Sequence, residues 1–209
     1  MRIAVFGATG LTGGLVVAGA LEQGHQVTAL VRDPRRVSPV PPGLTVLGGS
    51  PLSPEDVAIA IQGADAVIHC LGIGGRGDGR PTTLVSDSVK VTLAVMAAQG
   101  VPRIVCMSVV GAGGSGGWIA NRLVIPVFVR WLRPIIADKD RMEAALRASS
   151  AEWVSVRLPY IVPGPDKPVR VSADGRGIGR SISAASAARF LLARASGPDF
   201  LRTTPSISA

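Results

Sequence analysis

Seven residues near the start of the chain, Gly7-Ala-Thr-Gly10-Leu-Thr-Gly13, carry the strongest chemical signal in the sequence. They fit G-x-x-G-x-x-G, directly after a short apolar run and directly before a segment of helical character. Each glycine has a physical reason. Gly7 permits a tight turn, Gly10 lets the backbone approach a pyrophosphate, and Gly13 lets a helix pack on a strand. The helix that follows offers free N–H groups and a partial positive charge to phosphates. Gly7, Ala8, Thr9, Gly10, Leu11 and Thr12 are therefore the expected contacts of a dinucleotide. A structural turn without a ligand is the bland alternative, and the strand-to-helix context argues against it.

The end of the second strand, about twenty residues on, decides which dinucleotide. NAD sites usually place a carboxylate there for the ribose 2′-OH. Here the chain reads Leu30-Val31-Arg32, with Arg35 and Arg36 just beyond. A 2′-phosphate would meet a guanidinium fork, worth about 1.5–3 kcal/mol per charged hydrogen bond. NADP(H) is the expected cofactor. Asp33 is the competing feature, and an Asx-turn before Pro34 accounts for it.

These residues need a scaffold, and hydrophobic periodicity supplies one. Strands are expected at Ile3 to Phe6, Val27 to Val31, Leu44 to Leu47, Ala66 to Leu71, Ile104 to Ser108 and Trp153 to Leu158. Helices are expected at Leu11 to Glu22, from Pro54 to about Gln62 with Ser53 as N-cap, and at Thr82 to Gln99. Two more are expected at Asp138 to Ser149, with Met142, Ala145 and Leu146 on one face, and at Ser183 to Ala195. Asp174-Gly175 reads as a turn between two short extended pieces. Strand then helix, repeated, implies right-handed crossovers and a parallel sheet. The expected fold is α/β, a Rossmann-like doubly wound parallel sheet in a single domain spanning 1–209, with strand order 3-2-1-4-5-6. Ligands in such sheets lie at the carboxyl ends of the strands. Gly7 to Thr12, Leu71 to Ile73, Ser108 and Pro159 to Ile161 would share that edge.

Composition narrows the partners. The formal charge of +8 comes mostly from arginines, among them Arg76, Arg80, Arg122, Arg130 and Arg133. They are scattered and lack the aromatic partners of a nucleic-acid stripe, so no nucleic acid is expected. Cys70 and Cys106 sit in apolar runs and read as small buried hydrophobes. With two distant histidines, no metal cluster is expected. The chain opens into a strand pattern at Arg2 with no secretory leader ahead of it, so a cytoplasmic location is the default expectation. Trp118 to Ile136 mixes aliphatics and two tryptophans with Arg122, Pro126, Arg130, Arg133 and Pro134, which argues against a membrane span. A helical lid over a substrate, or a dimer contact, is preferred to an interfacial membrane helix.

The sequence resembles the NmrA-like NAD(P)H-binding group of atypical short-chain dehydrogenases/reductases, and within it the flavin reductase (biliverdin reductase B) branch. The carriers are Gly7-Ala-Thr-Gly-Leu-Thr-Gly13, Leu30-Val-Arg-Asp33, Ala64-Asp-Ala-Val-Ile68, Leu71-Gly72, Pro81-Thr-Thr83, Arg141-Met142, Leu146-Arg147, Leu158-Pro-Tyr-Ile161 and Asp174-Gly-Arg-Gly177. The resemblance implies that Arg32 and Arg36 hold a 2′-phosphate and that Leu71 and Gly72 flank adenosine and ribose. It implies that Pro159, Tyr160 and Ile161 lie near the nicotinamide and Ser108 beside the reacting centre. Two departures stand out: Tyr160 replaces a histidine, and Gly48-Gly49-Ser50 replaces an acidic residue after the third strand.

Typical members of the wider group use Tyr-x-x-x-Lys, in which the lysine lowers the phenol's pKa for proton exchange with a carbonyl. Lys139 stands at the expected helix start, but Ile135 occupies the tyrosine position, and Tyr160 is the one tyrosine in the chain. Three groups remain for chemistry. Ser108 is a hydrogen-bond donor to an acceptor or a strand-end serine bonded to backbone. Tyr160 is a proton source, a stacking surface or an amphipathic rim residue. Lys139 binds a ribose or an acidic substrate, or is a solvated lysine. Reduction of a flat, partly apolar, redox-active acceptor of flavin, tetrapyrrole or quinone type asks the protein for little beyond positioning. That reduction by NADPH is the leading expectation, with a small-molecule substrate, a monomer or homodimer, and substrate-covering segments around 112–137 and 160–182. The alternatives are a non-catalytic NADP(H) sensor and an epimerase or ketone reductase acting on a biosynthetic intermediate.

Overall fold

The computed structural model describes residues 1–72, 79–115 and 132–209. Ile73, Arg76, Trp118, Arg122, Pro126 and Arg130 lie outside the described residues, and with them most of the expected lid.

The fold opens with β1 (Arg2–Phe6), α1 (Leu11–Glu22), β2 (Gln26–Val31), β3 (Leu44–Gly48), α2 (Pro54–Ile61) and β4 (Ala66–His69). Then come α3 (Leu84–Gln99), β5 (Arg103–Gly113), α4 (Arg133–Ala148) and β6 (Glu152–Leu158). The last part holds β7 (Tyr160–Val162), β8 (Arg170–Ser172), β9 (Ser181–Ser183), α5 (Ala184–Ala193) and β10 (Ser206–Ser208). The main sheet runs β3-β2-β1-β4-β5-β6-β10-β8, and β7 pairs with β9 in a separate two-stranded sheet. The first six strands follow the doubly wound order expected from the sequence, all parallel.

Each strand feeds two cores because successive side chains point to opposite faces. Along β1, Ile3 and Val5 join the core under α1 and α5, while Ala4 and Phe6 join the core under α2, α3 and α4. The same alternation governs the site. In β5, Ile104 and Cys106 face α4, so Ser108 two residues further shares that face. In β6, Trp153 faces α4, which sets Ser155 and Arg157 on the same side.

Several ends follow their local chemistry. Ser53 accepts a hydrogen bond from Asp56 N and caps α2, with Pro54 in the first turn. Gly100 closes α3 with φ 71°, a left-handed cap that suits glycine. Thr83 makes no capping bond to α3; the carboxylate of Asp138 on α4 does so instead, accepting from Val85 N at 2.9 Å and Ser86 N at 3.1 Å.

Three expectations need correction. The fourth helix begins at Arg133 rather than Asp138, so Lys139 lies in its second turn and is buried, not a solvated residue at a helix start. The buried stripe of α4 is Asp138, Lys139, Met142, Glu143 and Leu146, with Ala145 only half-buried. The fifth strand continues past Ser108 to Gly113. Asp174-Gly175 does lie between two short extended pieces, β8 and β9, and β8 pairs antiparallel with β10.

Candidate functional site

The glycine-rich turn has the geometry its residue types call for. Gly7 adopts φ 83°, and a Cβ there would stand 2.8 Å from the Cys70 carbonyl group. Gly10 N donates to Gly7 O at 3.0 Å, closing the turn. At Gly13 a Cβ would stand 2.8 Å from the Gly7 carbonyl carbon, so only glycine lets α1 seat this close to the turn. No side chain caps α1, and no acidic residue occupies its first turn. Its leading N–H groups therefore await an anion.

A cleft of about 310 Å³ opens beside this turn where the sheet order reverses. Phe6, Gly7 and Thr9 form one wall, Leu30, Val31 and Arg32 the next, and Leu71, Gly72 and Leu84 the third. Gly49 to Leu52 close it from the loop after β3. The expected acidic residue is absent from that loop, yet Asp56 reaches it from α2 and accepts from Ser50 N at 2.8 Å.

Charge at the cleft follows from the short 3-10 turn at Pro34–Arg36. Asp33 accepts from Arg35 N at 3.2 Å, an Asx-turn, and from Arg35 Nε at 2.9 Å. The hydrogen bond from Arg35 holds the Asp33 carboxyl below its usual range. Asp33 is thus engaged away from a ribose. Arg32 lines the cleft, exposed, and makes no hydrogen bond or ion pair with another described residue. An uncapped helix, a glycine cradle and a cationic end to β2 fit a phosphorylated dinucleotide.

The far end of the strand edge is organised by α4. Lys139 and Glu143, one turn apart, both enter the protein. Lys139 Nζ donates to Met107 O at 2.7 Å and to Leu71 O at 3.2 Å, bridging the middle of β5 and the segment after β4. Burial pushes its pKa down to about 8, against the opposing influence of Cys106, Asp138, Cys70 and Glu143. Since Leu71 lines the cleft, this ammonium both fixes a cleft wall and places a positive charge behind it. Neutralising it above pH 8 is expected to weaken NADPH binding by about 1 kcal/mol, roughly fivefold. Calorimetric titration at pH 7, 8 and 9 checks this. Lys139→Met should bind more weakly at pH 7 and lose the fall above pH 8; parallel profiles for the two proteins would count against the assignment.

Glu143 is fully buried and receives Arg157 at both oxygens, Nε to Oε1 at 3.0 Å and Nη2 to Oε2 at 2.6 Å. Arg147 Nη2 adds 2.8 Å to Oε2, and the Ser155 hydroxyl 3.4 Å to Oε1. Ser108 Oγ donates to Oε1 at 2.8 Å. Burial would raise the Glu143 carboxyl, but Arg157, with help from Ser108 and Arg147, holds it below its ordinary value. Ser108, read from the sequence either as a donor to an acceptor or as a serine bonded to backbone, turns its single proton toward the Glu143 side chain. Sequence reasoning misses Glu143 and Arg157 because isolated charges on a helix and a strand read as solvated. The pattern that reveals them is strand alternation, which sets Arg157 on the α4 face.

Tyr160 stands on β7 with 62% of its surface exposed, and no described hydrogen bond ties its ring to Ser108 or Lys139. His69 is buried and neutral, its pKa pushed down to about 3 by burial and by the Lys139 charge. Ser88 donates to Val85 O, so His69 Nε2 is the donor in its 2.9 Å contact with Ser88. Cys70 and Cys106 are buried thiols pushed up to about 12 by burial, hence not nucleophiles. Among the described residues no helix is long and apolar enough to cross a membrane, and no cluster of side chains suits a metal ion.

Comparison with known proteins agrees with this geometry. Residues 7–198 match the family described as NAD(P)H-binding. An uncharacterized protein of Mycobacterium tuberculosis is 29% identical over 204 residues, covering 88% of this chain and 23% of its own length. The chain thus spans less than a quarter of that relative. Among solved structures, a short-chain dehydrogenase/reductase of Veillonella parvula in complex with NADP superimposes with a TM-score of 0.82 at 16% identity, covering 100% of this chain and 94% of its own. ChuY, an anaerobillin reductase of Escherichia coli, gives 0.81 at 17% identity, covering 100% of this chain and 97% of its own. At these identities the likeness is one of fold.

Proposed function

This chain belongs to the NAD(P)H-binding family, and from that premise we propose that it is an NADPH-dependent reductase of a planar, redox-active acceptor of flavin, tetrapyrrole or quinone type. The carrying observation is the cleft itself, where Gly7 and Thr9 of the turn that leads into the uncapped α1 share a lining with Arg32, which has no partner among the described residues. In this reading Leu11 and Thr12 present backbone N–H groups to the pyrophosphate, Arg32 and Arg36 take the 2′-phosphate, and Leu71 and Gly72 flank adenosine and ribose. Ser108 and Pro159 to Ile161 border the reacting centre, Tyr160 offers a stacking surface, and the segment 160–182 borders the acceptor. When bound, the dinucleotide supplies a hydride; with one proton from solvent the acceptor A becomes AH2 and NADPH becomes NADP+. The protein's part is to hold and orient.

Absence of a tyrosine four residues before Lys139 supports this class over alcohol or ketone chemistry, because the hydroxyl that exchanges a proton with a carbonyl is missing. The same fold in an anaerobillin reductase supports it by precedent. The test is NADPH oxidation by the purified protein against FMN, biliverdin and menadione, with NADH alongside. Saturable oxidation favouring NADPH is expected. Tight NADPH binding with no oxidation by any acceptor would instead favour an NADP(H) sensor.

A further inference from the structure

A serine hydroxyl carries one proton and two lone pairs, so its role toward a ligand depends on where that proton already is. In Ser108 it lies on Glu143 Oε1 at 2.8 Å. That carboxylate cannot return a proton. Arg157 grips both of its oxygens, Arg147 adds a third charged contact, and an ionised carboxyl group only accepts. Turning the Ser108 proton toward a ligand would exchange a charge-assisted hydrogen bond for a neutral one, which is about half as strong. No described residue donates to Ser108 Oγ, so its lone pairs are the groups left to meet a ligand.

Resting on the reading that Ser108 borders the reacting centre, we propose that Ser108 meets the substrate as a hydrogen-bond acceptor, with Glu143 as the positioning residue that holds it so. The site then takes planar acceptors that carry an N–H donor, flavins and linear tetrapyrroles, in preference to quinones, which carry none. Specificity comes from the fixed direction of one hydroxyl, and that direction is set by a buried arginine on the neighbouring strand.

The proposal separates two kinds of acceptor that the cleft's shape alone does not. It is tested by equilibrium binding of oxidised acceptors to the NADP+ complex, followed by kcat/KM with NADPH. Lumiflavin and biliverdin carry N–H donors; 3-methyllumiflavin and menadione do not. Ser108→Ala is expected to weaken whichever N–H acceptor the wild type binds by about fivefold to tenfold. It should leave the acceptors without N–H within about twofold. A ratio between acceptors does not depend on the fraction of protein folded.

Glu143→Gln gives an independent reading. Its amide N–H donates to Ser108 and frees the serine proton, so relative affinity should move toward menadione. If that variant fails to fold, Ser108→Ala decides alone. Equal loss for both kinds of acceptor, or no loss for either, overturns the proposal. Failure of the reductase reading has its own signature: wild-type protein binds NADPH, but no acceptor binds the NADP+ complex or oxidises NADPH, and the inference falls with it.

Discussion

Replacing Arg157 by methionine is expected to lower the free energy of unfolding by about 3–5 kcal/mol, because it leaves the Glu143 carboxylate buried without its main partner. Arg147 stays in contact, but its side chain is half exposed and cannot replace a bidentate grip. The pH dependence separates this cause from lost packing. In the wild type the folded-state pKa of Glu143 is depressed, so its contribution is present above the ordinary carboxylate pKa and lost as pH falls through the lower folded-state pKa. In Arg157→Met burial is opposed only by Ser108 and the half-exposed Arg147, so the folded-state pKa rises. Protonation then relieves the variant, and its deficit should shrink between pH 7 and pH 4. Urea unfolding of both proteins across that range measures it; a deficit that stays constant would mean that packing, not charge, was lost. A double variant with Glu143→Met as well should regain most of the loss, since an apolar pair of similar size avoids the desolvation of two ions.

Strand order and the glycine turn were readable from the chain because both rest on local periodicity. Ile3 to Phe6 followed by Gly7 to Gly13 specifies strand, turn and helix within a dozen residues, and β2 and β4 follow the same logic. The helix α4 was harder. Its buried stripe alternates Asp138, Lys139 and Glu143 with Met142 and Leu146, so an amphipathic reading finds a polar helix and moves its start inward. Each of those buried charges has a partner on another element: Asp138 the N-terminus of α3, Lys139 the carbonyls of Met107 and Leu71, Glu143 an arginine on β6. Those partners come together only when the elements pack. The strand β10 was illegible for a different reason, since Ser206-Ile207-Ser208 offers a single apolar side chain and exists by pairing with β6 and β8.

The candidate site divides along the same line. The half proposed to hold phosphates depends on backbone conformation and one arginine near Gly7, and its residue types announce it. The half proposed to meet an acceptor depends on which way a hydroxyl proton points, and residue type is silent on that. Ser108 is the instructive position. Its strand register could be read from Ile104 and Cys106, but the direction of its hydroxyl proton, toward Glu143, shows only once Glu143 and Arg157 are seen beside it.

Charge reversal at Arg32 is expected to have the largest effect on ligand choice. Arg32 lines the cleft without a described partner, whereas the neighbouring Asp33 carboxylate is held by Arg35 and its backbone N–H. The end of β2 therefore offers a cation and no competing anion to the adenosine ribose. Arg32→Ala should weaken NADPH about tenfold and Arg32→Glu about a hundredfold, the latter roughly 3 kcal/mol once repulsion is added to the lost charged hydrogen bond. NADH should change by no more than about threefold in Arg32→Ala and gain slightly in Arg32→Glu, because the new carboxylate can accept from the 2′-OH. Because the site is exposed, added salt should erode NADPH binding more than NADH binding in the wild type; this difference should vanish in Arg32→Ala and reverse in Arg32→Glu, where salt screens a repulsion. Fluorescence titration of both dinucleotides at two salt concentrations reads all of these at once. If Arg32→Glu still prefers NADPH, the 2′-phosphate rests on Arg36, and the same reversal made there should produce the loss instead.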